Sequence, residues 1–122
     1  EMATLVNIIR DDKMINPASS ERIYRNLTRI YYDSEALSEI PPTVQVASKS
    51  GAVDEARSEV LLVNAPHGDY VFCITTKNII DTSWKYDNEA WTLIRNLSKM
   101  LWNYYEPHFG WQRPAAMDKF DR

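Results

Sequence analysis

Hydrophobic and polar positions change period along this chain. Met2, Leu5, Val6 and Ile9 recur at helical intervals, and Arg10-Asp11-Asp12-Lys13 closes that segment as a polar turn. Asn16-Pro17 supplies a capping side chain followed by proline at a first helical position, which starts a second helix. Ile23, Leu27, Ile30 and Tyr31 share one face of it, so it is predicted to run to about Tyr31. Asp33 to Pro42 is polar, acidic and ends in two prolines, which predicts a loop.

Beyond the prolines the pattern becomes strand-like. Thr43 to Ser48 alternates Val44 and Val46 with polar neighbours, as in a half-exposed strand. Glu59 to Asn64 and Tyr70 to Thr76 instead contain continuous apolar runs, Val60–Val63 and Val71–Ile74, which predict strands covered on both faces. Pro66-His67-Gly68-Asp69 between them predicts an antiparallel hairpin. A long amphipathic helix follows, roughly Asp87 to Tyr105, with Trp91, Ile94, Leu97, Leu101 and Tyr105 as its apolar stripe and Pro107 as its stop. Trp84, Trp91, Trp102, Tyr104 and Tyr105 read together as core and helix-face packing. The tail from His108 to Arg122 has no clear period, so it either wraps or frays. The expected class is α+β: a three-stranded antiparallel sheet with two N-terminal helices and a C-terminal helix packed on it. Residues 1–106 form the folded part and 107–122 a tail.

Composition narrows the function. At 122 residues and 44% hydrophobic, with four Trp, seven Tyr and three Phe, the chain can build one small core and is not disordered. Fourteen basic residues are scattered among seventeen acidic ones, for a net charge of −3, so no basic stripe invites nucleic acid. No apolar stretch approaches the ~20 residues of a membrane span, and no leader-like segment opens the chain. The first residues read as a helix already under way, which implies a start inside a longer protein. One cysteine, Cys73, excludes an intrachain disulfide, and its apolar neighbours predict a buried, inert thiol. His67 and His108 have no partner at metal-ligand spacing, so no metal and no cofactor are expected. The sequons at Asn26 and Asn96 fall on predicted helices and read as coincidental.

The candidate chemistry lies at Lys49-Ser50-Gly51, placed at the end of the first predicted strand. A cation, a hydroxyl and a residue without a side chain, on extended backbone, make a docking edge for a carboxylate-bearing acyl substrate. With the order of elements around it, this tripeptide resembles the C-terminal part of the serine β-lactamase-like hydrolases of class A type, relatives of the penicillin-binding transpeptidases. Met14-Ile15-Asn16-Pro17-Ala18-Ser19-Ser20 is similar to the family's Leu-Ser-Pro-Ala-Ser helix entry. Arg57, Glu59, the strand Val60–Val63, the turn through Gly68 and Tyr70-Val71-Phe72 ending in Thr76-Lys77 complete the pattern, over about Glu1 to Glu106.

The resemblance implies a C-terminal portion of the β-lactamase/transpeptidase-like fold, acting on β-lactams or related acyl-peptides through an acyl-enzyme. It implies that Lys49 gives positive potential near the nucleophile, that Ser50 donates to the substrate carboxylate and that Gly51 lets the substrate backbone approach. It makes the Ala52 amide one of two oxyanion donors and brings Arg57 to the same carboxylate. By residue type alone, Lys49 is a solvated strand-end lysine, Ser50 and Gly51 are turn residues, and Arg57 is a surface partner for Glu55 or Glu59.

The departures are as informative. None of the nine serines has lysine three residues on; Ser19 is followed by Arg22 at that spacing. No Ser-Asp-Asn and no Glu-x-x-Leu-Asn occur either. The chain alone is therefore expected to be inactive, its nucleophile belonging to an upstream part, or else to be a non-catalytic β-lactamase-like binding module. An unrelated α+β domain carrying the tripeptide by accident is the third possibility. The expected partners are the N-terminal part of the same protein or a second copy. A bacterial, periplasmic or secreted setting linked to antibiotic resistance is implied by the resemblance only.

Overall fold

A computed structural model of the chain describes residues 1–30 and 34–115. The helices are α1 (Met2–Arg10), α2 (Pro17–Leu27) and α3 (Glu89–Tyr105), with a short 3-10 helix at Ala36–Glu39. The strands β1 (Val46–Val53), β2 (Ala56–Val63) and β3 (Tyr70–Thr75) form one antiparallel sheet in sequence order. The α+β architecture expected from the pattern is the one found.

Local chemistry sets the helix starts. The Asn16 side chain accepts from the Ser19 N–H at 2.8 Å, and Pro17 follows it at the first helical position. Ser20, fully buried, accepts from the Met14 N–H (2.9 Å) and donates to the Met14 carbonyl (3.0 Å), closing the bend between α1 and α2. Helix α2 ends at Leu27, earlier than its apolar face suggests; Tyr31, the predicted end, lies outside the described residues.

The first strand is displaced from its predicted span. Val44 N–H bonds the Pro41 carbonyl at 2.9 Å, so Thr43 and Val44 lie in a turn after the prolines and the strand begins at Val46. It continues through the tripeptide to Val53, which pairs with Ala56 across a two-residue Asp54-Glu55 hairpin. Lys49-Ser50-Gly51 therefore sits inside β1 and not at its end. No glycine marks that hairpin, which is why the alternation alone does not reveal it.

Register sorts the side chains onto two faces, because opposed residues share a face and successive ones alternate. Val46, Leu61, Val63, Trp91, Ile94 and Trp102 form one core between sheet and α3, with Ala36 and Ile40 of the 3-10 segment. Val6, Ala47, Val60 and Leu62 form a second core beneath α1 and α2. Central β2 is thus covered on both faces, as its apolar run predicts. β3 is not: Val71 and Phe72 are half-buried and Cys73 is exposed, against the expectation of a buried thiol. It is the outer strand, and the core beneath α1 and α2 takes in its Val71 end but not Cys73.

The stripe on α3 is also rotated from the predicted one. Trp91, Ile94, Arg95, Ser98 and Trp102 are buried, whereas Tyr105 is exposed. Two polar residues hold interior places because their bonds are satisfied there. Ser98 Oγ donates to the Ala36 carbonyl at 2.7 Å. Arg95 donates to the Tyr86 carbonyl (2.6 Å) and lies 3.7 Å over the Tyr86 ring. The aromatic group splits accordingly: Trp91 and Trp102 are core, and Trp84, Tyr104 and Tyr105 are largely exposed. After Pro107 the chain folds back, Phe109 meeting Trp102 edge-on at 5.2 Å.

Candidate active site

The geometry of the candidate site follows from strand parity. The Asn64 N–H donates to the Gln45 carbonyl at 3.0 Å, which marks that opposed pair as hydrogen-bonded. Bonded and non-bonded pairs alternate along an antiparallel ladder. Ala47, Lys49, Gly51 and Val53 therefore turn their main chain toward β2, and Ser50 and Ala52 turn theirs to the outer side. Among the described residues no strand lies beyond β1, so this is the sheet edge.

Lys49 is rooted on the α1/α2 face and exposed, and its Nζ bonds the Ser50 carbonyl. That carbonyl points outward, so the ammonium is carried around to the edge. Ser50 Oγ springs from the opposite face, giving a cation and a hydroxyl on either side of one extended backbone. Glu59, opposite Ser50 in register, is buried and accepts from the Ala36 N–H at 2.8 Å, which anchors the 3-10 helix behind the strand. Gly51 is exposed and opposes Ser58. A Cβ on it would come within 3.0 Å of Ser58 Oγ, which donates to the Gly51 carbonyl at 3.3 Å. The absence of a side chain at Gly51 therefore has an internal reason as well as any outward one.

Lys49, Ser50, Gly51 and Ala52 are thus together on one edge, and Arg57 is set apart from them. Its side chain is fully buried on the α3 face. The guanidinium bonds the carbonyls of Val53, Asp54 (3.3 Å), Ala56 (3.0 Å) and Ser83 (3.0 Å). It lies between two indoles, 4.7 Å from the Trp84 ring and 5.4 Å from that of Trp91. Since both Arg57 and Glu59 are buried, no surface ion pair joins them. The sequence offered no sign of Ser58, Trp84 or Ser83 around the site. The one available signal was Asn88-Glu89, a helix-start pattern. Asn88 caps α3 through the Ala90 N–H (3.0 Å) and donates to the carbonyls of Asp81 (2.5 Å) and Ser83 (3.1 Å).

At the far end of the sheet, buried Glu106 accepts from the His67 N–H (2.8 Å) and contacts His67 Nδ1 at 2.6 Å. Burial pushes the Glu106 carboxyl up, but the two His67 bonds and the nearby ring charge outweigh it and hold it below the usual range. Burial, with Glu106 and Tyr105 beside it, pushes the Tyr70 hydroxyl well above its ordinary value. Glu106, through His67, and the Tyr70 ring, stacked on Tyr105 at 4.6 Å, join the β2–β3 turn to the end of α3, away from the edge of β1.

Comparison with known proteins finds the same fold in solved structures. PBP-A is similar at 23% identity with a TM-score of 0.73, over 86% of this chain and 38% of that one. A β-lactamase from Sphaerobacter thermophilus is similar at 15% identity and TM-score 0.72, over 84% of this chain and 38% of that one. A class A β-lactamase from Bacteroides cellulosilyticus is similar at 18% identity and TM-score 0.66, over 84% and 39%. The chain thus spans less than two fifths of the length of these structures, which share its fold. No curated protein matches it. No described helix is long and apolar enough to cross a membrane. The family model of the β-lactamase enzyme family matches residues 1–105, and the chain belongs to that family.

Proposed function

We propose that this chain is the C-terminal portion of a serine β-lactamase-like hydrolase, acting on β-lactams or related acyl-peptides through an acyl-enzyme. One observation carries this: the Lys49 ammonium lies at the outer edge of β1, beside a strand whose Ser50 and Ala52 amides face away from β2. An extended substrate can add there as a further strand, its backbone pairing with Ser50 and Ala52. Lys49 and Ser50 then face its carboxylate, and the Ala52 N–H faces its carbonyl oxygen. A serine from the upstream part adds to the carbonyl carbon as its proton passes to a base there; that proton then goes to the departing nitrogen as the scissile C–N bond breaks, leaving the acyl ester and a free amine.

The same proposal gives the chain its partner and setting. Leu93, Leu97, Met100 and Tyr104 follow one another on the outward side of α3, where Leu93, Met100 and Tyr104 are 47%, 58% and 76% exposed. The upstream part of the same protein, or a second copy, covers this stripe. The bacterial, periplasmic or secreted location and the link to antibiotic resistance travel with the family. The test is acylation by a fluorescent penicillin. The full-length gene product should form a labelled species that survives denaturation, and the 122-residue chain should not. Absence of label on the full-length product would defeat the proposal.

One fact favours a second reading, a non-catalytic binding module: no serine here heads a Ser-x-x-Lys motif. The residues encoded before Glu1 separate the two. The hydrolase requires that motif there, and the module lacks it.

A further inference from the structure

We propose that Arg57 is a positioning residue for the Ala52 N–H and not a ligand of the substrate carboxylate; this rests on the reading of the β1 edge given above. Ala52 and Arg57 are directly opposed in the ladder, in a pair whose main chains do not bond each other. The place of the Ala52 amide therefore depends on its neighbours, Gly51↔Ser58 and Val53↔Ala56, and on the turn that joins them. Neither residue of the Asp54-Glu55 turn has positive φ. It is thus outside the primed classes whose twist matches paired strands, and a turn of other type tends to splay them.

The Arg57 fork opposes that splay. It ties the carbonyls of Val53, Asp54 and Ala56 to one rigid plane. The plane itself is fixed from behind by the Ser83 carbonyl and by the Trp84 and Trp91 rings. Asn88, the cap of α3, holds Ser83 in turn. A continuous set of contacts so runs from the start of α3 through Arg57 to the hairpin whose first strand carries Ala52. The side chain is 0% exposed, so no face of it is open to a carboxylate arriving from solvent. An oxyanion donor acts only if it is already aimed where charge develops, and small misplacements cost large factors in rate.

The experiment uses the full-length gene product as wild type, R57K, W84F and W84A. Acylation by a penicillin and by its carboxyl methyl ester is followed against concentration, with amide exchange at Val53 and Ala56. R57K keeps the charge and loses the fork. It should lower the limiting acylation rate by about tenfold to a hundredfold, below the roughly 10²–10³ of a lost oxyanion donor. The half-saturating concentration should not move, and acid and ester should suffer by the same factor. W84A should show a smaller loss of the same kind, which W84F restores, and exchange at Val53 and Ala56 should quicken in R57K and W84A. A loss confined to the acid, or unchanged exchange in both variants, overturns the proposal. A wild type that neither compound acylates defeats the reading of the edge, and the exchange rates then decide the hairpin contact by themselves.

Discussion

Lys49 shares its face with buried Ala47 and Val60 and is exposed because it stands on the edge strand, past Ala47. It stands in mid-strand, yet its removal opens no cavity, since its charged end bonds only a carbonyl at the edge. In the full-length protein, Lys49→Ala should therefore depress acylation strongly while shifting stability by no more than about 0.5 kcal/mol. Penicillin labelling beside a urea titration checks both; equal labelling would remove Lys49 from the site. Glu106 makes the opposite case, a charge whose work is structural. Its carboxyl is held below the ordinary value of 4.5 in the folded chain. The folded state therefore binds that proton less readily than the unfolded one, and stability is present above about 4.5 and lost as pH falls through the folded value. Glu106→Gln should flatten this acid limb in denaturant midpoints measured from neutral pH downward. An unchanged limb would show that other carboxylates govern it.

At the scale of elements, the apolar runs mark the right segments and give the right cover for β2 but not for β3. Val60–Val63 and Val71–Ile74 look alike in sequence, but only the first is central; order in a sheet is set by pairing, which a run of residues does not encode. The hairpin at Asp54-Glu55 has no sequence signature, since it uses neither glycine nor asparagine, and Arg57 reaches its carbonyls by contacts that no local pattern reveals. Arg57, named from the resemblance, was thereby found behind the strand, whereas Lys49, Ser50, Gly51 and Ala52 share its outer edge. On α3 the predicted stripe through Leu97, Leu101 and Tyr105 followed hydrophobicity, while the observed one admits Arg95 and Ser98 because each finds buried partners. Substitution separates the buried side of α3 from its outward side. Trp102→Ala, at a side chain 2% exposed, should cost about 3–5 kcal/mol. Tyr104→Ala should stay within about 0.5 kcal/mol. Thermal melts of both variants suffice, and similar costs would contradict the burial of Trp102 against the exposure of Tyr104.

At the scale of the molecule, the described residues form two cores sharing one sheet and leave several large apolar side chains exposed. Besides the stripe on α3, Ile15, Ile80, Val53 and Trp84 are 86%, 92%, 64% and 60% exposed. Contiguous apolar surface beyond a few hundred Å² marks association or aggregation. The isolated chain should therefore sediment as an oligomer, and Leu93→Glu with Met100→Glu should shift it toward monomer. A cooperatively unfolding monomer in the parent chain would show that the stripe needs no cover. The edge of β1 has a further consequence in such a mixture. An edge that can receive an extended acyl-peptide cannot by its backbone tell that guest from the same edge of a neighbouring molecule. Two copies meeting antiparallel around Ser50 would bring their Lys49 ammoniums close together, and that repulsion is screened by salt. The lysine proposed to draw in an anionic guest would thus also act as a sentry, turning away the molecule's own likeness in dilute buffer and standing down as ionic strength rises.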